Sequence, residues 1–326
     1  MAVVVALGMM PSRRIIPSNS IWKNVMIEWL KAVVLGVVQG ITEFLPISSD
    51  GHLLITQNLF DWLTGTQSRG AENLFFDVIL HLGTTAAILV YYHRSIAAGL
   101  RGLLGAEDVP EGYRRPEVVR VGILAAIATS PLIPLALFLK KWIDQAFEGI
   151  AVAGIGFLVT AGVLMLTAWL SRRQGTKGPA QTTWLDALLI GIAQMFAPLP
   201  GVSRSGLTIA AALALGLSRT WAVGFSLLIA VPAILGAAAK ELKDVDPSTL
   251  TSLYVAQAVV ATIVAGLVGY AAISWLVRVV RSGRIWYFSV YLVLMGLLVV
   301  FLAVRGGFAD AGRSGAVDGA VRVGAP

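Results

Sequence analysis

The chain has 326 residues, of which 57% are hydrophobic and only 13% are charged, and its mean hydropathy is +0.79. Because a soluble domain usually carries about 25% charged residues, this composition excludes an ordinary soluble globular protein. The net charge of +7 comes from Lys and Arg placed mostly in short loops, a pattern typical of membrane topology and lipid headgroups rather than of nucleic-acid binding. The absence of cysteine excludes disulfides and thiolate chemistry.

The first predicted element is an N-terminal extension, residues 1–25. Its charges follow a short apolar run instead of preceding it, which is unlike a secretory signal peptide, and we predict that it is disordered. A Gly-rich tail, residues 305–326, lacks periodicity and is also predicted to be disordered. Between them lies a single predicted membrane domain, residues 26–304.

Six continuous apolar runs in this domain are close to the length of about 20 residues that spans a bilayer. They cover residues 77–92, 118–139, 150–170, 221–239, 254–277 and 285–304. The runs do not alternate with a period of two, so they favour helices over an outer-membrane barrel.

Two further apolar stretches are short and interrupted. The first motif, GVVQGITEFLPISSDG at 36–51, and the second motif, GIAQMFAPLPGVSRSG at 191–206, share Gly, Gln and Gly at a constant spacing. Each motif joins two short apolar segments, 29–46 with 48–60 and 185–199 with 203–217. Matched, interrupted segments of this kind indicate a binding site near the bilayer midplane.

The predicted fold is an all-α polytopic membrane protein with an inverted-topology repeat. Repeat one covers 26–170 and repeat two covers 183–304, and each has a re-entrant helix pair followed by three transmembrane helices. Three transmembrane helices lie between equivalent points of the two repeats. Because an odd number of crossings ends on the opposite side of the membrane, the second repeat is inverted relative to the first. The loops with most Arg residues then lie on one face, which we expect to be cytoplasmic, with both termini and the site opening on the outer face.

The first motif brings several chemically active groups to the break in the apolar segment. Gln39 and Glu43 are four residues apart and share a helix face, and Pro46 stops that helix. Ser48 or Ser49 caps the next one. The groups available are Gln39, Glu43, Ser48, Ser49, Asp50 and His52.

The second motif supplies the opposite charge. Pro200 and Gly201 make a turn, and Ser203 is the predicted cap of a helix that begins with Arg204, Ser205 and Thr208. Two helix N-termini inside the membrane form an anion site, and Arg204 adds a planar fork suited to phosphate. A divalent cation on Glu43 would bridge protein and phosphate, so we predict a site for a lipid diphosphate.

Each single residue also has a simpler interpretation. A hydroxyl such as that of Ser203 more often makes a helix–helix hydrogen bond in a membrane, and His81 is more often a packing residue. A buried charge within a membrane segment is expensive and indicates function, which favours Glu43 and Arg204 most.

The two motifs resemble the signatures of the undecaprenyl-diphosphate phosphatases of the bacitracin-resistance type. Residues 80–89 and 217–233 resemble two further segments of that family, and the likeness covers about residues 26–304. It implies hydrolysis of undecaprenyl diphosphate to undecaprenyl phosphate and inorganic phosphate, which recycles the lipid carrier of peptidoglycan synthesis and gives bacitracin resistance. It also implies a bacterial inner-membrane protein that needs Mg²⁺ or Ca²⁺.

The resemblance assigns roles position by position. It makes Glu43, Ser49, His52 and Arg204 catalytic, and gives phosphate binding to Ser48, Ser203, Ser205, Thr208 and Arg219. Metal binding falls to Glu43, Gln39 and Asp50. Gln39 stands where many members have a second glutamate, and Asp50 replaces a small hydroxyl residue and could restore that carboxylate.

Two alternatives stay open at this point. Ser49 could attack phosphorus directly, with His52 or Glu43 as base, or water could attack while Ser49 positions the phosphate. A polyprenyl-phosphate flippase would use the same midplane anion site, although it would need no nucleophile. Membrane lipids are expected partners, nucleic acid is not, and a homodimer is open.

Overall fold

The computed structural model describes residues 18–64, 70–135, 149–170, 175–243, 245 and 250–305. The regular elements in these ranges are helices. The main ones are α1 (Ser18–Thr42), α2 (Ser49–Thr64), α3 (Gly70–Tyr91), α4 (His93–Leu103), α5 (Arg115–Thr129), α6 (Ile150–Leu170), α7 (Trp184–Gln194), α8 (Arg204–Ala214), α9 (Arg219–Glu241), α10 (Ser252–Arg281) and α11 (Trp286–Val304).

Six of the described helices are long and apolar enough to cross a membrane. They are α1, α5 with the turn after it, α6, α9, α10 and α11. The helices α3 and α4 form a bent pair with an angle of 70° between them, and counting that pair as one span gives seven. The prediction of an all-α polytopic membrane protein is confirmed.

The largest differences between predicted and observed element boundaries are in α1 and α5. The helix α1 begins at Ser18, so residues 18–25 of the predicted extension are helical. The helix α5 ends at Thr129, because Pro131 lacks the amide that would continue the helix, and the predicted span 118–139 is therefore interrupted. Residues 1–17 and 306–326, which hold most of the two predicted disordered segments, lie outside the described residues.

Both interrupted segments are helical hairpins. In the first hairpin (α1, residues 43–48 and α2), Lys31 and Asp61 form an ion pair at 3.2 Å near the open end. In the second hairpin (α7, residues 195–203 and α8), the Lys177 amide donates to the Gly216 carbonyl at 3.0 Å, which joins the segment before α7 to the end of α8. In each hairpin, the second helix therefore returns along the first.

The two hairpins open towards opposite ends of α10. Gly36 packs against the carbonyl of Ala261 and Gly40 against that of Ala265, so α1 and α10 run parallel. The start of α9, directly after the second hairpin, contacts the other end of α10, where Arg219 Nη1 donates to the Arg281 carbonyl at 3.1 Å. An inverted repeat requires this arrangement; that the two halves are related as repeats stays a prediction.

The closed ends of the hairpins meet inside the bundle. Ser205 Oγ donates to the Leu45 carbonyl at 3.1 Å, which links α8 to the break in the first hairpin. Gly201 has a positive φ of 79°, and a Cβ there would meet the Ala153 carbonyl of α6 at 2.0 Å, so the turn requires glycine. A Cβ on Gly51 would collide with Phe157 and Gly201. These close backbone contacts place the starts of α2 and α8 side by side.

Candidate active site

Glu43 is at the centre of the polar cluster where the hairpins meet. It directly follows α1, and only 3% of its side chain is exposed. Ser49 Oγ donates to Glu43 Oε2 at 2.7 Å, and Gln39 Nε2 donates to the same oxygen at 3.1 Å. The other carboxylate oxygen, Oε1, accepts from Arg204 Nη2 at 2.5 Å. The carboxylate therefore joins the hydroxyl of one hairpin to the guanidinium of the other.

Arg204 has one half of its guanidinium group free. It is the first residue of α8, with 16% of its side chain exposed, and its Nη1 atom is buried without a hydrogen-bond partner among the described residues. A buried donor that is left unpaired costs free energy, so this atom is suited to an anionic ligand oxygen. The Glu43 contact holds Nη2 and leaves Nη1 for that purpose.

Serines cap both helices that begin at the site. Ser48 Oγ accepts from the Gly51 amide at 3.4 Å, and Ser203 Oγ accepts from the Gly206 amide at 3.1 Å. The predicted cap at Ser203 is confirmed, and Ser48 rather than Ser49 caps α2. Ser48 also has a φ of 70°, a left-handed conformation that costs a non-glycine residue about 1–3 kcal/mol.

His52 contributes to the conformation of this break rather than contacting Ser49. Its Nδ1 atom lies 2.7 Å from the Ser48 carbonyl, which can only accept, so Nδ1 carries the proton. Its Nε2 atom then accepts from the Tyr291 hydroxyl at 2.7 Å. Both ring nitrogens of His52 therefore have hydrogen-bond partners, and one of these bonds holds the strained Ser48. The side chain that contacts the Ser49 hydroxyl is Glu43 and not His52. Nothing in the sequence pattern pointed to Tyr291.

His81 is a site neighbour that the sequence interpretation set aside as a packing residue. Its Nε2 atom lies 3.5 Å from Glu43 Oε2 and 3.9 Å from Asp50 Oδ1. Its Nδ1 atom lies 2.7 Å from the Asp77 carbonyl, which fixes the ring. The signal that could have found it is its position on an apolar helix one turn after Asp77, a second polar residue at membrane depth.

Three predicted phosphate-binding hydroxyls are committed to structural bonds. Ser203 caps α8, Ser205 donates to the Leu45 carbonyl, and Thr208 bonds the Ser226 hydroxyl at 2.6 Å and the Arg204 carbonyl at 2.9 Å. Ser203 Oγ lies 3.2 Å from Ser205 Oγ, and Ser205 contacts the break in the first hairpin next to Glu43. Thr208 instead faces α9, where it bonds Ser226. Roles for these hydroxyls in phosphate binding stay predictions.

Arg219 requires a correction. It begins α9, after the whole of α8, which is about 16 Å long at 1.5 Å per residue for its 11 residues. Its guanidinium contacts the Arg281 carbonyl and lies against Gly283. The structure therefore places Arg219 at the end of α10 and away from Glu43 and Arg204, because α8 carries the chain from the site to that end of the bundle.

The donor groups at the cluster fit a hard divalent cation. Gln39 Oε1 is a buried oxygen with no hydrogen-bond partner among the described residues, next to the Glu43 carboxylate. Asp50 adds a carboxylate that is 55% exposed. No group of three His, Cys, Asp or Glu side chains in the described ranges is arranged to hold a metal. A cation here would therefore take Glu43 and Gln39 as ligands and complete its shell with Asp50, phosphate oxygens or water.

Known proteins resemble this chain over most of its length. Residues 32–298 match the family model described as "Bacitracin resistance protein BacA". The chain belongs to this family. It is 36% identical over 283 residues to an undecaprenyl-diphosphatase of Carboxydothermus hydrogenoformans, covering 85% of this chain and 98% of the relative. An undecaprenyl-diphosphatase of Corynebacterium efficiens is 39% identical over 277 residues, with 84% and 90% covered, and one of Mycobacterium ulcerans is 36% identical over 281 residues, with 86% and 98% covered.

Proposed function

We propose that this BacA-family chain hydrolyses undecaprenyl diphosphate to undecaprenyl phosphate and inorganic phosphate. The observation that carries this proposal is the contact chain Ser49–Glu43–Arg204, in which one carboxylate accepts from a nucleophile at 2.7 Å and from a cation at 2.5 Å. A transport site needs anion binding alone, whereas a hydroxyl paired with a base is typical of nucleophilic catalysis. The substrate comes from the relatives, which are named undecaprenyl-diphosphatases.

In this proposal Ser49 is the nucleophile and Glu43 is its base. The Ser49 oxygen forms a bond to the terminal phosphorus while its proton passes to Glu43 Oε2. The bond between that phosphorus and the bridging oxygen breaks, and undecaprenyl phosphate leaves with the electron pair. Water then attacks the phosphoserine, and the serine oxygen recovers a proton as inorganic phosphate departs.

Arg204 and the helix starts stabilise the charge that develops on the transferred group. The free Nη1 atom of Arg204 donates to a phosphate oxygen while Nη2 keeps Glu43 in place. The N-termini of α2 and α8 add partial positive charge from two directions. When bound, Mg²⁺ or Ca²⁺ would neutralise phosphate charge, and Glu43 and Gln39 would hold it.

Purified protein in detergent, incubated with farnesyl diphosphate and Mg²⁺ or Ca²⁺, tests the activity. Release of inorganic phosphate that requires Ser49, Glu43 and Arg204 is expected. Tight binding of the diphosphate without phosphate release would contradict hydrolysis and favour the flippase. Rapid quench with substrate labelled on the terminal phosphorus should place the label on Ser49, whereas label found only in free phosphate would favour direct attack by water.

The proposed location is the bacterial inner membrane, with the first hairpin opening to the outer face. The basis is that Arg278, Arg281 and Arg284 lie at the opposite end of α10, in its last turn and just after it, and that the cytoplasmic side carries excess positive charge. The chain has no cysteine, so single cysteines are clean labels. We expect Lys23→Cys to react with an impermeant maleimide from outside and Glu111→Cys to react only after lysis. Labelling of both from one side would overturn the topology.

A further inference from the structure

A cavity lies between the first hairpin and the helices α10 and α11. Its volume is about 830 Å³, within the range of small-molecule sites. Apolar side chains form most of its wall, including Ile41 and Leu45 from the first hairpin and Phe288 from α11. It extends to the His52–Tyr291 pair, but none of the three residues proposed to act on phosphate lines it.

One end of this cavity is cationic. Arg278 and Arg284 line it, both are exposed, and the lining among the described residues contains no Asp or Glu. Arg278 Nε donates to the Ser274 carbonyl in its own helix at 3.1 Å. The neighbouring Arg281 does not line the cavity, and its Nε donates to the Thr220 hydroxyl of α9 at 3.1 Å. Two arginines therefore face the cavity without a carboxylate to neutralise them, while the third ties α10 to α9.

The cationic end and the apolar part differ in membrane depth. Arg278 is in the last turn of α10 and Arg284 in the turn that follows, at the end of the bundle opposite to the opening of the first hairpin. From there the apolar wall runs inward to Tyr291, beside the start of α2. Positive-inside topology accounts for arginines in this turn, but it does not account for two of them at the mouth of an apolar cavity.

We propose that this cavity binds an anionic membrane lipid of the leaflet opposite to the opening of the first hairpin. The headgroup phosphate lies between Arg278 and Arg284, which offer charge-assisted hydrogen bonds. An acyl chain lies along Ile41 and Leu45 and reaches Phe288. This lipid is a bound partner and not the hydrolysed substrate, because its phosphate sits at the bundle end while the Glu43 cluster lies inside.

Trp275 reports on this site, since it lines the cavity and its side chain packs against Phe288 at a ring distance of 5.7 Å. The protein is reconstituted in phosphatidylcholine vesicles with increasing brominated phosphatidylglycerol, and quenching is compared with that by brominated phosphatidylcholine. The Trp275→Phe protein, treated identically, provides the signal of the other tryptophans for subtraction. The residue is 48% exposed, so the neutral brominated lipid gives the baseline for contact with the bulk bilayer.

The wild type should show preferential quenching of Trp275 by phosphatidylglycerol. Its preference should fall roughly fivefold for each of Arg278→Gln and Arg284→Gln, and Arg281→Gln should leave it unchanged. Arg284→Glu reverses the charge at a position in the exposed turn and should abolish the preference for phosphatidylglycerol. Unchanged elution volume and helical content show that this variant is folded. Excess inorganic phosphate should not displace the lipid.

Other results would overturn the proposal. Equal quenching by the two brominated lipids would show that headgroup charge does not matter and would leave the cavity to acyl or prenyl chains alone. If Arg281→Gln weakens the preference as much as the two cavity arginines do, the preference comes from the general positive charge at this end of the bundle and not from a site in the cavity. Displacement by inorganic phosphate would indicate an anion site without a lipid.

Discussion

The two hairpins share one frame and differ in the chemistry that they present. Each has a buried glutamine in its first helix, Gln39 and Gln194, and a serine cap on its second helix that accepts from a glycine amide three residues on. The serines cap the helix starts in the same way, whereas Gln39 donates to Glu43 and Gln194 to the Ala128 carbonyl. The first hairpin then adds a carboxylate and a hydroxyl at Glu43 and Ser49, whereas the second presents an apolar turn and a cation.

This difference shows how two similar hairpins can produce an asymmetric site. Two helix N-termini alone give two weakly positive anion sites. With Glu43 on one side and Arg204 on the other, the same geometry gives a carboxylate, a hydroxyl and a guanidinium within hydrogen-bond distance, the groups proposed as base, nucleophile and phosphate ligand. The matched serine caps should therefore affect folding, and the groups that only one hairpin has, at Glu43, Ser49 and Arg204, should affect turnover.

The largest effect is expected for Ser49→Ala. Loss of the nucleophile should lower kcat about 10⁴-fold or more and leave lipid diphosphate binding nearly intact. Ser205→Ala is the matched control in the second hairpin, because that hydroxyl donates to a backbone carbonyl, and it should cost less than about tenfold. Steady-state phosphate release measures both. Activity of Ser49→Ala above roughly a tenth of wild type would rule out the covalent route.

Glu43→Gln should follow, with a loss of about 10³-fold, since the amide cannot take the Ser49 proton and leaves Arg204 without its partner. Gln39→Glu is the companion variant. It should keep activity or lower the cation concentration needed, because it replaces an amide whose oxygen is unpaired by a second carboxylate beside Glu43. Cation titrations of the phosphatase rate measure both changes. A Glu43→Gln enzyme with a near-normal rate and unchanged metal dependence would remove Glu43 from the site.

Arg204→Lys keeps the charge but loses the fork that holds Glu43 with one nitrogen and faces the substrate with the other. We expect a rate loss of about 10²-fold. Arg219→Lys is the matched control, because it is the same substitution at an arginine that lies at the end of α10, away from Glu43. Its rate should stay within about threefold of wild type, measured as kcat/KM for farnesyl diphosphate. Equal losses in the two variants would restore Arg219 to the phosphate site.

The smallest effect is expected for Thr208→Val. Its hydroxyl bonds Ser226, so the loss should appear as stability, about 1 kcal/mol, with KM nearly unchanged. A double-mutant cycle with Ser226→Ala, read by denaturant unfolding in detergent, should give a coupling of similar size. A clear rise in KM without coupling to Ser226 would instead support the predicted role in phosphate binding.

Local sequence was sufficient to predict most of the helices and the positions of both breaks. Run lengths and continuity gave the spanning helices, since a helix must satisfy its own backbone in lipid. Pro46 and the Pro200–Gly201 pair placed the breaks, because proline removes an amide and glycine adopts positive φ. The cap at Ser203 also depends only on neighbours along the chain. At α5 a candidate span is present over Arg115–Pro134, but the apolar run gave no sign that the regular helix ends before Pro131.

The assignment of partners required the tertiary structure. Glu43 and Arg204 are 161 residues apart, and their contact depends on how each hairpin is rotated about its axis, which backbone packing at Gly51 and Gly201 fixes. The proposal of Glu43 rather than His52 as the base likewise depends on a residue outside the motif, since Tyr291 on α11 occupies the second ring nitrogen of His52. A motif specifies which groups are present, but helix rotation and distant side chains determine which of them meet.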